Sequence, residues 1–181
     1  MPRLILEPTS QAQWQTLVHE AQSACDRELD ETLESYLVFL LMRFSDKPHC
    51  VSRIMASDYL SSQVLSGEQR VERLRDVGDH CLLFSGLFPQ IAERRLVRIS
   101  YFVNLGRSSY QQLSDLLDRS WSSVYGHLSE AFVVLMDILQ AMRGLDGRPV
   151  LTPIQAMDLW SDTGSRRCYE QVTADGRVTP L

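Results

Sequence analysis

Two pairs of acidic and histidine side chains stand at helical spacing and could bind a metal. Asp76 and His80 are spaced i, i+4, and His127 and Glu130 are spaced i, i+3, so each pair shares one face of a helix. If the two helices face each other, two imidazoles and two carboxylates meet in a set that suits zinc or iron. The alternative, favoured because both pairs lie off the apolar stripes, is two surface ion pairs. We expect no cofactor.

Nucleophilic chemistry finds less support in the sequence. The four cysteines, Cys25, Cys50, Cys81 and Cys168, are widely spaced and form no C-x-x-C pair. His49-Cys50 and His80-Cys81 are adjacent residues, and neighbours on a helix point about 100° apart, so neither histidine can easily activate its cysteine. Nucleophile-elbow, Walker A, dinucleotide-binding and H-E-x-x-H motifs are all missing from the sequence. We expect free, mostly buried thiols.

The elements that must position these residues are helices, because apolar residues recur at i, i+3, i+4 nearly throughout the chain. One domain covers residues 1–181, an all-α compact bundle of about six to eight helices. The loop 144–149 precedes a C-terminal helical extension. Predicted helices cover approximately residues 10–25, 30–47, 51–65, 66–86, 93–117, 120–142, 153–163 and 165–176.

Several helix ends carry capping signals. Ser66 with Gln69 forms a predicted capping box, and Thr152 followed by Pro153 is typical of an N-cap and the first helical position. Ser165 can cap a last helix that Gly176 closes. An alternative for that tail is a β-hairpin turning on Asp175-Gly176, because Tyr169, Val172 and Val178 are compatible with strands; the helix is preferred because two strands alone are marginally stable.

Three glycines fall inside predicted helices: Gly78, Gly106 and Gly126. Glycine costs about 1 kcal/mol relative to alanine in a helix interior. Close helix–helix contact could offset that cost, since a missing Cβ lets two backbones approach. We therefore predict tight helix crossings at these positions. The alternative is a ligand cleft lined by backbone.

Four segments, GDHCLLFSGLFP at 78–89, YFVNLGRSSY at 101–110, YLVFLL at 36–41 and LWSDTGS at 159–165, resemble an uncharacterised all-helical family of bacterial proteins. The resemblance spans about residues 30–180 and implies a helical fold and a bacterial origin, without adding catalytic residues.

A small-ligand site, if one exists, would use the polar residues of those segments. Arg107 shares a helix face with Asn104 and could bind a carboxylate or phosphate through its planar guanidinium; alternatively, it pairs with Asp76 or Asp79 of a neighbouring helix. The candidate ligand-binding residues are Asp79, His80, Ser85, Asn104, Arg107 and Tyr110.

Composition restricts the partners. The chain has 23 acidic against 18 basic residues and a formal net charge of −5, which disfavours binding to nucleic acid. No apolar run approaches the ~20 residues of a membrane span. The first residues also lack the apolar core of a signal peptide, so we expect a cytoplasmic protein that binds no membrane.

The sequence favours a non-enzymatic helical protein that acts by association with itself or with a partner protein. The second predicted helix is apolar around most of its circumference, since Tyr36, Val38, Phe39 and Met42 flank its main stripe, and such a helix must be covered on all sides. A homodimer is the expected state. Trp14, Trp121 and Trp160 add to this expectation, because aromatic residues favour interface cores. The alternative is a metal- or small-ligand-binding enzyme with a site inside the bundle.

Overall fold

The computed structural model describes residues 9–46, 55–174 and Gly176. Within these residues the chain is all-α, as predicted, and it contains no strand. The described residues form ten α-helices and one short 3₁₀-helix. They are α1 (Ser10–Ala24), α2 (Glu31–Asp46), α3 (Met55–Ser62), α4 (Gly67–Gly86), α5 (Gln90–Arg94), α6 (Ile99–Leu116), α7 (Arg119–Glu130), α8 (Phe132–Arg143), the 3₁₀-helix (Gly144–Asp146), α9 (Pro153–Thr163) and α10 (Arg166–Ala174).

The described part has more α-helices than the six to eight predicted, partly because the helix expected over residues 93–117 is interrupted. It divides into α5 and α6 at a turn in which Leu96 has a φ of 56°. The Leu96 N–H donates to the Glu93 carbonyl at 3.1 Å, and the Val97 N–H donates to the Ala92 carbonyl at 3.0 Å. These two bonds form a Schellman motif, which ends a helix even when leucine occupies the position that glycine usually takes.

The helix expected over residues 120–142 is also interrupted, so the prediction of one long helix there was wrong. Ala131, with φ of −86° and ψ of 5°, separates α7 from α8. The two halves pack on different neighbours, since α7 lies against α6 while α8 lies against α1 and α4. The apolar stripe continues without interruption along the sequence, so it does not reveal that its two halves contact different helices. The longest helix is α4, with 20 residues.

The centre of the fold is the contact between α4 and α6. Their facing side chains, including Leu82, Phe84, Phe102 and Val103, are essentially inaccessible to solvent. Helices α1 and α8 pack together beside this pair. The C-terminal helices α9 and α10 pack on each other, and α9 also packs on α6. Among the described residues, no helix is both long and apolar enough to span a bilayer.

The sequence predicted tight helix crossings at three glycines, and the helices approach each other closely at two of them, Gly78 and Gly106. A Cβ at Gly78 would lie 2.5 Å from Cε1 of Tyr110, and a Cβ at Gly106 would lie 2.5 Å from the ring of Phe132. The approach at Gly126 is looser, with 3.2 Å to the Ser114 hydroxyl. A Cβ at Gly86, the last residue of α4, would lie 2.5 Å from Leu139. Helix α4 therefore needs glycine against both α6 and α8.

The capping predictions had mixed outcomes. Thr152 and Gln155 form a capping box with Pro153 in the first turn of α9, and Ser165 accepts the Cys168 N–H at 3.2 Å at the start of α10. Ser66 is the N-cap of α4, but its side chain makes no capping hydrogen bond, so the capping box predicted with Gln69 was wrong.

Gly67, the residue after the cap, has a φ of 61°. This left-handed conformation turns the first helical residue away from the geometry that a capping box requires.

The C-terminal tail is helical as far as Ala174. Because α10 covers Arg166–Ala174, Tyr169 and Val172 lie on a helix, and the hairpin alternative was wrong for them. Asp175 and Val178, as well as the His49-Cys50 pair, lie outside the described residues.

Candidate functional site

The carboxylate of Asp79 is the centre of a buried polar cluster that joins several helices. Asp79 lies on α4 and is only 4% exposed. Its Oδ1 accepts hydrogen bonds from the hydroxyls of Tyr36, at 2.6 Å, and Tyr110, at 2.7 Å. Its Oδ2 accepts a charge-assisted bond from Nη2 of Arg43 at 2.7 Å. One buried carboxylate thereby joins α2, α4 and α6.

Local sequence explains why these groups converge. Tyr36 and Arg43 are seven residues apart, so both project from one face of α2. Gly78 precedes Asp79 and leaves the space into which the Tyr110 ring fits. Tyr125 of α7 completes the cluster, with its ring centroid 5.9 Å from that of Tyr36 and 5.8 Å from that of Tyr110. Four helices therefore contribute to one site.

The electrostatics of the cluster favour phenols over phenolates. Burial, and next the negative charge of Asp79, raise the pKa values of Tyr36 and Tyr110 well above their ordinary value of 10.0. Both hydroxyls stay protonated and act as donors. The cluster is a satisfied hydrogen-bond network that holds helices together, with Arg43 as its solvent-facing end.

Two of the six residues predicted to bind a small ligand, Asp79 and Tyr110, meet directly in this network. Two others are occupied within their own helix. Nδ1 of His80 lies 2.6 Å from the Asp76 backbone carbonyl, and the buried Ser85 hydroxyl donates to the Cys81 carbonyl at 2.9 Å. The structure thus divides the predicted ligand set between separate environments.

Arg107 and Asn104, the remaining two, project from α6 and are exposed. Nε of Arg107 donates to the Ser129 carbonyl at 3.2 Å, and the Ser129 hydroxyl donates back to the Arg107 carbonyl at 3.0 Å. The predicted ion pair of Arg107 with Asp76 or Asp79 was therefore wrong. Arg107 connects α6 to the backbone of α7, and Arg43 takes the place at Asp79.

The predicted metal ligands do not assemble. No group of three or more His, Cys, Asp or Glu side chains could hold a metal ion within the described ranges. His80 contacts a carbonyl of its own helix, and His127 and Glu130 are exposed on α7. Asp76 and His80 thus do not combine with His127 and Glu130 into one site.

Three of the four cysteines are free and buried: Cys25, Cys81 and Cys168. Burial raises the pKa of each thiol, to about 11 for Cys168. A thiol with a raised pKa is a poor nucleophile at neutral pH. Cys50 lies outside the described residues.

Sequence reasoning missed Arg43 entirely and treated Tyr36 only as an apolar residue of α2. The available signal was the i, i+7 spacing of Tyr36 and Arg43, together with the buried position of an acid next to Gly78. A tyrosine and an arginine on one face of an apolar helix indicate a buried acceptor on the helix that packs against it.

Above this network lies an exposed surface with aromatic side chains. Phe39 is 53% exposed and lies between Tyr36 and Arg43 on the same side of α2; Trp121 of α7 is 58% exposed. The Trp121 ring contacts Tyr125, with 6.3 Å between centroids, and Tyr125 in turn contacts Tyr36. We call Phe39, Arg43 and Trp121, together with the partly exposed Tyr36, the aromatic surface.

Comparisons with protein-family models, curated proteins and solved structures found no match to this chain.

Proposed function

We propose that this protein acts by association, as a homodimer whose two copies meet at the aromatic surface. The observation that supports the proposal is the exposure of Phe39 and Trp121 on neighbouring helices, above a base of buried hydrogen bonds. Tryptophan, tyrosine and arginine are the residue types most enriched at the energetic centres of interfaces. The proposal places the dimer in the cytoplasm, which agrees with the three free thiols.

The base of the aromatic surface is already ordered in a single chain. Tyr36 is held by Asp79, and Tyr125 packs against both Tyr36 and Tyr110. Binding therefore orders fewer side chains than it would on a flexible surface, and the cost of association falls accordingly. Covering Phe39 and Trp121 would contribute roughly 25 cal/mol for each Å² of apolar area removed from water.

We infer that the partner is a second copy of this chain, because two identical aromatic surfaces can pack together without charge repulsion. In a two-fold interface the same patch contacts its own copy, so a net charge on the patch would repel its symmetry mate. The only cation of the aromatic surface, Arg43, is 2.7 Å from the Asp79 carboxylate. Its charge is neutralised within the chain, and the remaining side chains are uncharged.

Light scattering at micromolar concentration tests the proposal. The wild-type protein should have twice the chain mass of 20.7 kDa. Phe39→Glu and Trp121→Glu should each give a folded monomer, because each replaces apolar contact area at the interface with a carboxylate that loses its hydration on association. Ile154→Glu is the matched control, since Ile154 is 68% exposed but lies on α9, which packs on α6 and α10.

The control should remain dimeric. A monomeric wild type, or a dimer that Ile154→Glu dissociates while Phe39→Glu leaves it intact, would contradict the proposed interface. Far-UV circular dichroism of each variant checks that the helices remain folded.

A further inference from the structure

A cavity of about 520 Å³ lies where the first half of α4 meets the end of α6. Its apolar wall consists of Leu65, Val71, Leu116 and Leu117, and two arginines of α4, Arg70 and Arg75, also line it. The volume falls in the range typical of small-molecule sites, which are mostly apolar with a few polar groups that orient the ligand. The cavity is separate from the Asp79 network.

The two arginines carry unsatisfied donors. Within the described part of the chain, the Nε atoms of Arg70 and Arg75 are buried and have no hydrogen-bond partner. Arg70 makes one long bond, from Nη2 to the Gln112 side chain at 3.4 Å. Buried donors are almost always satisfied in folded proteins, by protein groups, water or a ligand. One buried donor of each guanidinium, beside the same cavity, therefore lacks an acceptor.

The acceptor should be an anion with an apolar body. Glu68 and Glu72 also line the cavity, but both are exposed, so water screens their charge, whereas Arg70 and Arg75 are largely covered. The arginine charges are therefore screened less by water than the glutamate charges. A guanidinium binds a carboxylate through parallel hydrogen bonds, and the leucine and valine wall would cover an aliphatic chain.

We propose that this cavity binds a small amphipathic carboxylate. Its carboxylate oxygens accept hydrogen bonds from the guanidinium groups of Arg70 and Arg75. Its aliphatic body packs on Val71 and Leu116, which are partly exposed when the cavity contains no ligand.

Isothermal titration calorimetry with octanoate tests the proposal on the full-length protein. Saturable binding at one site per chain is expected, and 1-octanol, which lacks the charge, should bind at least about tenfold more weakly, a difference of ~1.4 kcal/mol. Arg70→Gln and Arg75→Gln should each weaken octanoate binding by about tenfold or more. Arg148→Gln is the matched control, since the Arg148 side chain is 88% exposed and lies outside the cavity; it should bind like the wild type.

The opposite results would overturn the assignment. These are no saturable octanoate binding by the wild type, equal binding of octanoate by the wild type and by the Arg70→Gln, Arg75→Gln double variant, or equal binding of inorganic phosphate and octanoate. Thermal melting of each variant separates loss of the site from loss of the fold. The monomeric Phe39→Glu variant should still bind octanoate, so failure of the dimer and failure of this site can be distinguished.

Discussion

Asp79 shows how one buried acid determines the contacts of several helices. Its charge would be costly inside the protein without compensation, but three donors from two other helices surround it. Removing any of these donors leaves the carboxylate less satisfied, and removing the carboxylate leaves two buried hydroxyls and a guanidinium without their acceptor.

Replacing Asp79 with Asn should therefore lower the free energy of unfolding by about 2 kcal/mol, since the bonds to an anion are exchanged for weaker bonds to an amide. Chemical denaturation monitored by circular dichroism measures the change. Asp76→Asn, one turn earlier on α4, serves as control and should change stability by less than about 0.5 kcal/mol, because the Asp76 carboxylate is not part of the network. Equal effects of the two substitutions would mean that the network contributes nothing specific.

The buried tyrosines give the protein a characteristic response to alkaline pH. Tyr36 and Tyr110 have pKa values well above 10.0 in the folded state because of burial and the Asp79 charge. The unfolded chain therefore releases these protons at lower pH than the native chain does. Their contribution to stability is complete below pH 10 and is lost as the pH rises above that value.

Phenolate absorbance during an alkaline titration can test this. Tyr36 and Tyr110 should ionise only as the helices unfold. A Tyr110→Phe variant should lose one of the late-titrating groups. Ionisation of all tyrosines together near pH 10, with helicity retained, would contradict this expectation.

At the scale of elements, the start of α10 depends on a residue from another helix. Asp137 of α8 is 2% exposed and accepts a hydrogen bond from the Ser165 hydroxyl at 2.5 Å and another from the Arg167 N–H at 3.4 Å. Burial raises its pKa, and the bonds from Ser165 and Arg167 counteract this effect. The carboxylate also lies at the N-terminus of α10, where the helix dipole favours negative charge.

Replacing Ser165 with Ala should lower the free energy of unfolding by about 1–2 kcal/mol, because it removes both the N-cap of α10 and a donor to a buried carboxylate. Ser66→Ala is the natural control. Ser66 holds the same N-cap position on α4 but makes no capping bond, so its loss should cost only a few tenths of a kcal/mol. Similar losses from the two substitutions would show that the bond to Asp137 adds nothing.

At the scale of the whole molecule, glycine determines how closely the central helices pack. Gly78 and Gly106 bring α4, α6 and α8 together around Tyr110 and Phe132. The rings fill the volume that a Cβ would occupy, so the crossing distance and the Asp79 network depend on each other. A wider crossing at Gly78 would move the Tyr110 hydroxyl away from Asp79.

Gly78→Ala should therefore destabilise the protein by about 1–3 kcal/mol through overpacking, despite the better helix propensity of alanine. Gly126→Ala makes a useful comparison, since its Cβ would lie 3.2 Å from the Ser114 hydroxyl instead of 2.5 Å from a buried ring. It should be close to neutral, because alanine's helix propensity offsets a small shift of Ser114. Thermal unfolding of both variants measures the difference in their stability. A Gly78→Ala variant more stable than the wild type would show that the crossing can accommodate a Cβ.

The local sequence by itself determined the helical class, most helix positions and the caps at Thr152 and Ser165. These features follow from periodicity and from hydrogen bonds between residues close in the chain, so they are readable without a fold. The sequence also identified Asp79 and Tyr110 as residues of interest and Gly78 as a close crossing. The sequence did not predict the helix breaks at Leu96 and Ala131. At each break the chain changes direction, but the apolar stripe continues on both sides of it.

Only the tertiary structure decided which polar groups meet. Tyr36 and Asp79 are 43 positions apart in the sequence. Spacing along the sequence gave no reason to exclude Asp76 or Asp79 of α4 as the partner of Arg107. The placement of α2 in the fold brings Arg43 to Asp79, and the position of α7 gives Arg107 the Ser129 carbonyl instead. Such partnerships depend on crossing angles and side-chain volumes across the whole core, which helical periodicity along one chain does not encode.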